Sequence, residues 1–412
     1  MRSSALGLTA VLLLGATACS GVPGNARVAD AEASGDGTLR VGVILDNTGS
    51  QSFLNDAQRA AVELAVKDVN AAGGHKGKPV EVLEPATGDS AAQARTLAER
   101  KADVVIGPTD SGNAPAAIDV LSRAGITLIS PANTSAGLTG YKSGGYYFRT
   151  AAADVAQAAV LIKMATATGA KSIAVIHQEG SYGKGVSDAV ASVAEESGLG
   201  APVVAEFAPG EAAEAAGKVR DAAADAVVVI AREGAQGALA ELKNAGIPGE
   251  KLLLADGAFD QYGSGLANGT LEGARAILPG VFPSAQFQDR LLTVDKGLKD
   301  LTFAAEAYDA TILAALAAEA RQDDSGSSIA AGLIAVSGGS ADDAGERTVC
   351  TTFAECRKLL SAGSGADYDG QSGPVAFDEN GDVTAANYMT FTYGPDNKAT
   401  LSGKEAAART DG

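Results

Sequence analysis

Short polar clusters stand where β-branched apolar runs break off. Asp46-Asn47-Thr48-Gly49 follows the run Leu39 to Leu45, Gly107-Pro108-Thr109-Asp110-Ser111 follows Asp103 to Ile106, and Ser130-Pro131-Ala132-Asn133-Thr134 follows Ile126 to Ile129. Further along, Gln178-Glu179-Gly180-Ser181-Tyr182 follows Ser172 to His177. Arg232-Glu233 comes after Ala226 to Ile230, and Asp256-Gly257-Ala258-Phe259 after Leu252 to Ala255. The clusters supply hydroxyls, turn amides, one Tyr and a few charges. Such a set suits a small polar ligand with its carboxylate on Ser/Thr hydroxyls and main-chain N–H groups and its ammonium on an acid. Turns also recruit Ser, Pro, Asn and Gly for conformational reasons, so no single residue carries the reading; convergence at strand ends does.

Enzyme chemistry is harder to assemble. G-x-S-x-G is absent, since neither Gly263-Ser264-Gly265 nor Ser372-Gly373 has its spacing. Gly180-Ser181-Tyr182-Gly183-Lys184-Gly185 fails as a phosphate loop: the upstream Gly is too near, and Gly185 replaces the Ser/Thr that would hold magnesium. The third Gly of a dinucleotide fingerprint is missing after Gly183 and Gly185. His177 closes an apolar strand without a partnered nucleophile and reads as a hydrogen-bonded strand-end residue. Asp323-Asp324 and Asp342-Asp343 read as solvated turns, and Asp378-Glu379-Asn380-Gly381-Asp382 lacks the spacing and terminal Glu of a calcium loop. With His75 and His177 the only His and three Cys in all, no metal or other cofactor is expected.

These clusters must be positioned by strands and helices in alternation. Helices are expected over Leu54 to Ala71, Ala91 to Arg100, Ala114 to Ala124, Val155 to Thr168, Gly185 to Ser197, Ala235 to Ala245 and Phe303 to Ala320. The apolar runs between them, with Val80 to Glu84 and Val203 to Phe207, read as strands. This βαβ order implies parallel sheets covered on both faces, an α/β class of two doubly wound sheets. A hairpin is expected from Val375 to Tyr393 around Glu379-Asn380-Gly381-Asp382. In open α/β sheets ligands bind beyond the carboxyl ends of the strands, where the polar clusters lie.

Composition narrows the classes further. The 412 residues are 46% hydrophobic and 20% charged with mean hydropathy +0.08, which excludes disordered, collagen-like or coiled-coil chains. Thirty-two Lys+Arg against 50 Asp+Glu give −18, a field that repels phosphate backbones, and no basic stripe offsets it, so nucleic-acid binding is not expected. The absence of Trp weakens any stacking platform. Arg2 and the apolar run Ala5 to Ala18, about 14 residues against the roughly 20 of a membrane span, read as a signal peptide over residues 1–18. Ala16-Thr17-Ala18-Cys19 resembles the lipobox of bacterial lipoproteins, implying lipidation of Cys19; ordinary cleavage leaving a free thiol is the rival. Residues 19–37, rich in Gly, Ala, Ser and Asp, read as a flexible tether. Cys350 and Cys356 in an exported chain read as a structural disulfide. A continuous helix would hold them about 9 Å apart. Thr352 and Glu355 form a capping-box pattern that starts the helix at Phe353 and leaves Cys350 in the preceding turn, where a bridge can close.

Val105-Ile106-Gly107-Pro108, Ile129-Ser130-Pro131-Ala132-Asn133-Thr134, Phe148-Arg149-Thr150, Ala174-Val175-Ile176-His177 with Tyr182-Gly183-Lys184-Gly185, Tyr308-Asp309-Ala310, and Gly373-Pro374 with Phe377-Asp378-Glu379-Asn380-Gly381 together resemble the type I periplasmic binding proteins. The branch is that of the leucine/isoleucine/valine-binding receptors of ABC transporters. Cys350 to Cys356 followed by Tyr368 to Pro374 is similar to a subset of these receptors. The resemblance implies two Rossmann-like lobes joined by three crossovers: residues 38–151 and 282–370 in the first, 152–281 and 371–405 in the second. It implies that Ser111, Ala132 and Thr134 bind the α-carboxylate and ammonium, that Tyr182 covers the ligand, and that Asp256 pairs with the α-ammonium. Phe53 would line the side-chain pocket. Arg232-Glu233 departs from the aromatic residues of amino-acid binders, and a cation there admits an anionic side chain or a second carboxylate. The expected function is non-enzymatic: a monomeric lipoprotein at the outer face of the cytoplasmic membrane, delivering an amino acid or similar zwitterion to an ABC permease. A ligand sensor signalling to a membrane partner is the alternative, and an exported hydrolase is disfavoured by the missing nucleophile motif and scarce His.

Overall fold

A computed structural model describes residues 28, 31–46, 52–281, 283–339 and 347–408, without the side chains of Phe53 and residues 406–408. Residues 1–18, Cys19, most of the first half of the tether, Asn47 to Gly49 and Asp342-Asp343 lie outside the described residues.

The first sheet is built from β1 (Arg40–Val43), β2 (Glu81–Val82), β3 (Val104–Ile106), β4 (Thr127–Ser130) and β5 (Tyr147–Arg149), all parallel, in the order β2-β1-β3-β4-β5. Period-two alternation sends Val104 and Ile106 into one core with helices Asn55–Ala71 and Ala304–Arg321, while Val105 enters a second core with helices Ser90–Glu99 and Ala114–Arg123. Helices on both faces explain why these strands are continuous apolar runs. Each Val, Ile or Leu so buried contributes about 1.5–3 kcal/mol relative to exposure.

The second sheet begins with β6 (Ile173–Gln178), β7 (Val203–Phe207), β8 (Ala226–Ile230), β9 (Leu252–Leu254) and β10 (Arg275–Pro279). The chain then returns to the first body. Helix Ala285–Val294 packs Phe287 and Leu291 into its core, and β11 (Arg347–Cys350), β12 (Gly365–Gly370) and β13 (Gly373–Pro374) form a small sheet beside it. Finally β14 (Ala385–Tyr393) and β15 (Ala399–Ala408) complete the second sheet in the order β15-β14-β10-β9-β8-β6-β7, with antiparallel pairing at β10, β14 and β15. Val227 and Val229 face one core of this body, Val228 and Ile230 the other.

Several expectations need correction. Passage into the second body comes later than residue 371: Gly373 pairs with β12, and Val375, Phe377 and Val383 pack in the first core with Phe148. The hairpin over Val375 to Tyr393 is reduced to a bridge between Phe377 and Val383; the long hairpin is β14 with β15. The turn residues serve another purpose, because Asp378 accepts from the amides of Asn380 and Asp382 and so aims Asp382 at Arg149. Asp323-Asp324 is not a solvated turn. Asp323 accepts from the amides of Ser34 and Gly35, Asp324 from those of Gly37 and Thr38, and both side chains are buried. Burial opposes ionisation of Asp323, yet the Ser325 and Ser328 hydroxyls and these amides hold its carboxyl well below the usual range. The last residues of the expected tether are therefore pinned to the body.

Cys350 and Cys356 are bridged, with Cα atoms 5.3 Å apart. Thr352 caps helix Phe353–Ser361 by accepting from the Glu355 amide, as the capping pattern requires. Glu355 itself returns to the Thr351 amide.

Candidate functional site

Ser111 lies in the turn after β3. Its hydroxyl accepts from the amides of Thr134 (3.2 Å) and Ser135 (3.4 Å), tying together the loops beyond β3 and β4. Buried Asn133 reinforces that tie by donating to the carbonyls of Pro108 and Thr109. The Ala132 amide is turned inward and donates to the Ser130 hydroxyl at 3.3 Å. Asp46 serves the same scaffold, accepting from the Asp110 amide and the Asn113 side chain.

From the second body, Arg232 follows β8 and is oriented through its amide, which donates to the Gln178 side chain. Its guanidinium donates to the Asp154 carboxylate of its own body (3.2 Å) and reaches across to the Thr134 hydroxyl of the first (3.3 Å). It also lies 4.0 Å from the centre of the Tyr182 ring. The neighbouring Glu233 is exposed; its amide also donates to Gln178.

Tyr182 is placed by a helix that starts earlier than the sequence suggests, at Ser181 rather than Gly185. Gly180, at φ 102°, makes the left-handed turn into it. Gly183 packs on the Gln178 carbonyl, where an added Cβ would stand only 1.9 Å from the oxygen, so the glycines serve backbone approach and not phosphate. The Tyr182 hydroxyl donates to Asp256 Oδ1 at 2.5 Å. The same oxygen receives Gln157 Nε2 and the Gly257 amide, each at 2.7 Å.

Asp154 and Gln157 were not singled out from the sequence. Both are buried at the start of the Ala-rich helix Gln157–Ala167, three residues apart and hence on one face. Two polar residues on an otherwise apolar face were the available signal. Burial, reinforced by the Asp256 charge, pushes the Asp154 carboxyl up to about 7, against the opposing pull of Arg232. Burial and Asp256 likewise raise the Tyr182 phenol well above its usual range.

Ser111, Thr134, Tyr182, Arg232 and Asp256 thus form one continuous chain of contacts across the two bodies, with Asp154 added. Ala132 flanks it without a free amide. Only the backbone of Phe53 is described, within the turn Ser52–Leu54. Beside the cluster a cavity of about 720 Å³ opens, lined from both bodies by Leu54, Phe303 and Glu306 on one side and Asp256, Phe259 and Met389 on the other. Asp256 is the member the polar cluster and the cavity share. His177 directs Nδ1 at the Gln178 carbonyl (2.9 Å), as expected of a strand-end residue. Among the described residues no group of three or more His, Cys, Asp and Glu could hold a metal ion, and no helix is long and apolar enough to cross a membrane.

The profile of the periplasmic binding protein family matches residues 38–399. Leu/Ile/Val-binding protein homolog 3 of Brucella melitensis is 33% identical over 170 residues, 39% of this chain and 45% of that protein. The chain thus spans about half the length of that relative. The chemotactic signal transduction substrate-binding protein BasB of Halobacterium salinarum is 28% identical over 361 residues, covering 83% of this chain and 82% of that one. Among solved structures, the branched-chain amino acid transporter substrate-binding protein LivJ of Streptococcus pneumoniae, in complex with isoleucine, superposes with TM-score 0.60 at 23% identity. That match covers 90% of this chain and all of the other, and it establishes the fold. The chain therefore belongs to the type I periplasmic binding protein family, in its Leu/Ile/Val-binding branch.

Proposed function

We propose that this protein is the extracytoplasmic solute-binding component of an ABC importer, capturing an amino acid or related small zwitterion between its two bodies and releasing it unaltered. The observation that carries the reading is Arg232. A partly exposed guanidinium from the second body, paired there with Asp154 at 3.2 Å, meets Thr134 of the first at 3.3 Å, so a ligand carboxylate can enter a site that both bodies build. Thr134 and the Ser111 hydroxyl would complete the carboxylate's seat, and Asp256, held by Tyr182 and Gln157, would receive the ammonium. Contacts made only when both bodies meet give the differential affinity that closure needs. A micromolar receptor needs about −8 kcal/mol, within reach of one charge-assisted pair and several hydroxyl or amide bonds in a desolvated cleft.

The family assignment and the signal-like first residues support export, with Cys19 as the lipid anchor on the outer face of the cytoplasmic membrane and a monomer docking on a permease. Titration calorimetry of the mature chain against the standard amino acids tests the reading: saturable binding that Asp256→Ala weakens is expected, and binding of an amino acid with unchanged affinity in that variant overturns the ammonium assignment. A second reading, reporting ligand occupancy to a membrane signalling partner, is supported by the extended match to the chemotactic protein of Halobacterium salinarum. Uptake of labelled ligand, lost on deletion of the gene, separates the two.

A further inference from the structure

The cavity beside Asp256 contains a charge that the reading above does not use. Glu306 is 6% exposed, on the first body's long helix Ala304–Arg321. Among the described residues its carboxylate has no side-chain partner; only its own main-chain N–H faces it. The head group lies against Gly280, where an added Cβ would stand 2.9 Å from Oε1. Glu306 and Gly280 line both the 720 Å³ cavity and a void of about 20 Å³ that Thr150 and Ala385 also line. The small void has room for about one water; the large cavity has room for a ligand.

A buried, unpaired carboxylate is costly unless it is neutralised or meets a cation. Burial pushes this carboxyl up to about 7. The charged lining of the cavity is otherwise Asp256, Asp300 and the exposed Lys299, an acidic balance within a chain of net charge −18. Arg232 does not line it, being engaged with Thr134 and Asp154. Apolar side chains also line the cavity, among them Leu54, Phe259, Leu278, Leu301, Phe303 and Met389. Such a lining suits a methylene stem with a polar group at each end.

We infer that the ligand is an α-amino acid carrying a second, distal ammonium, a diamino monocarboxylate, with its α-ammonium at Asp256 and its distal ammonium at Glu306. This inference rests on the amino-acid reading above and narrows its ligand class. In this assignment Glu306 sets specificity: it accepts from the distal ammonium, which supplies the partner that the protein itself does not.

The test is calorimetry with lysine, ornithine and norleucine, the last matching the stem without the distal amine, on the wild-type chain and Glu306→Gln. The expected result is a wild-type preference for lysine or ornithine over norleucine of about tenfold or more, abolished in E306Q. Equal wild-type affinity for the three, or the same preference in E306Q, overturns the role of Glu306 while norleucine binding leaves the amino-acid reading standing. A wild-type chain that binds no amino acid overturns both. The wild-type ratio decides the matter even if E306Q folds poorly.

Discussion

Two Arg–Asp pairs lie a short distance apart and are built for opposite purposes. Arg149 is fully buried and has every donor engaged: Nε and a terminal nitrogen fork onto Asp382 at 2.6 and 2.8 Å, and the remaining contacts go to Thr139 and the carbonyls of Asn133 and Ser135. Arg232 keeps 44% of its side chain exposed and makes single contacts at 3.2 and 3.3 Å to Asp154 and Thr134. The first pair is saturated and can only hold; it fastens the strand-end loop of β5 to the last passage of chain before the second body. The second is open, and under the proposed function a ligand carboxylate would take the place that Asp154 now shares. Comparable chemistry becomes scaffold or receptor according to how many of its hydrogen bonds are already made.

The comparison is broken most forcefully by Arg149→Ala. Leaving Asp382 buried and unpaired should cost about 3–5 kcal/mol of unfolding free energy in a denaturant titration. Arg232→Ala should cost less, about 1 kcal/mol, since the guanidinium is partly solvated and the buried Asp154 it leaves behind can take up a proton instead of staying charged. Equal losses would erase the distinction. Next in size, Arg232→Ala should weaken ligand binding about tenfold to a hundredfold, the worth of a charge-assisted contact, measured by calorimetry. Removing only the hydroxyl in Tyr182→Phe should cost about 1 kcal/mol of stability, because Asp256 retains Gln157 and the Gly257 amide.

The smallest effect is a pH slope. Asp154 has its folded pKa raised from 3.8 to about 7, so between those values the native state binds a proton that the unfolded chain has released. Its contribution to stability is therefore complete below about pH 4 and is lost as pH rises through about 7. Asp154→Asn should flatten the fall in melting temperature across that window. An unchanged slope would mean that Asp154 is not held protonated by its surroundings.

The sequence disclosed the scaffold better than the seams. Ala226–Ile230 is a strand over the very residues its apolar run delimits, because a parallel strand covered on both faces carries no polar interruption. The edge strand Val203–Phe207, exposed at Val203, Val204 and Glu206, is marked instead by its β-branched residues. The strand-end clusters that pointed to a ligand do converge, since a doubly wound sheet gathers its carboxyl ends. What stayed hidden depends on contacts between distant segments. Nothing local distinguishes Asp382, which pairs with Arg149 across 233 residues, from an ordinary turn Asp. Nor does Asp323-Asp324 announce that it caps the amides of Ser34 to Thr38 nearly 290 residues away. Helix Ser181–Glu196 starts early because its first turn carries glycines that propensity alone rejects but close packing on Gln178 requires. Asp154 and Glu306 looked like ordinary polar positions on Ala-rich helices; only burial without a saturating partner reveals them.

The central claim is that an intact small zwitterion is gripped between two bodies through Arg232. Native mass spectrometry of the purified mature chain, followed by identification of the released compound, tests it most directly. The account predicts one unaltered amino-acid-like molecule per wild-type chain, absent from Arg232→Ala prepared in parallel. A chain that stays empty at saturating solute, or that releases a chemically converted compound, would contradict it.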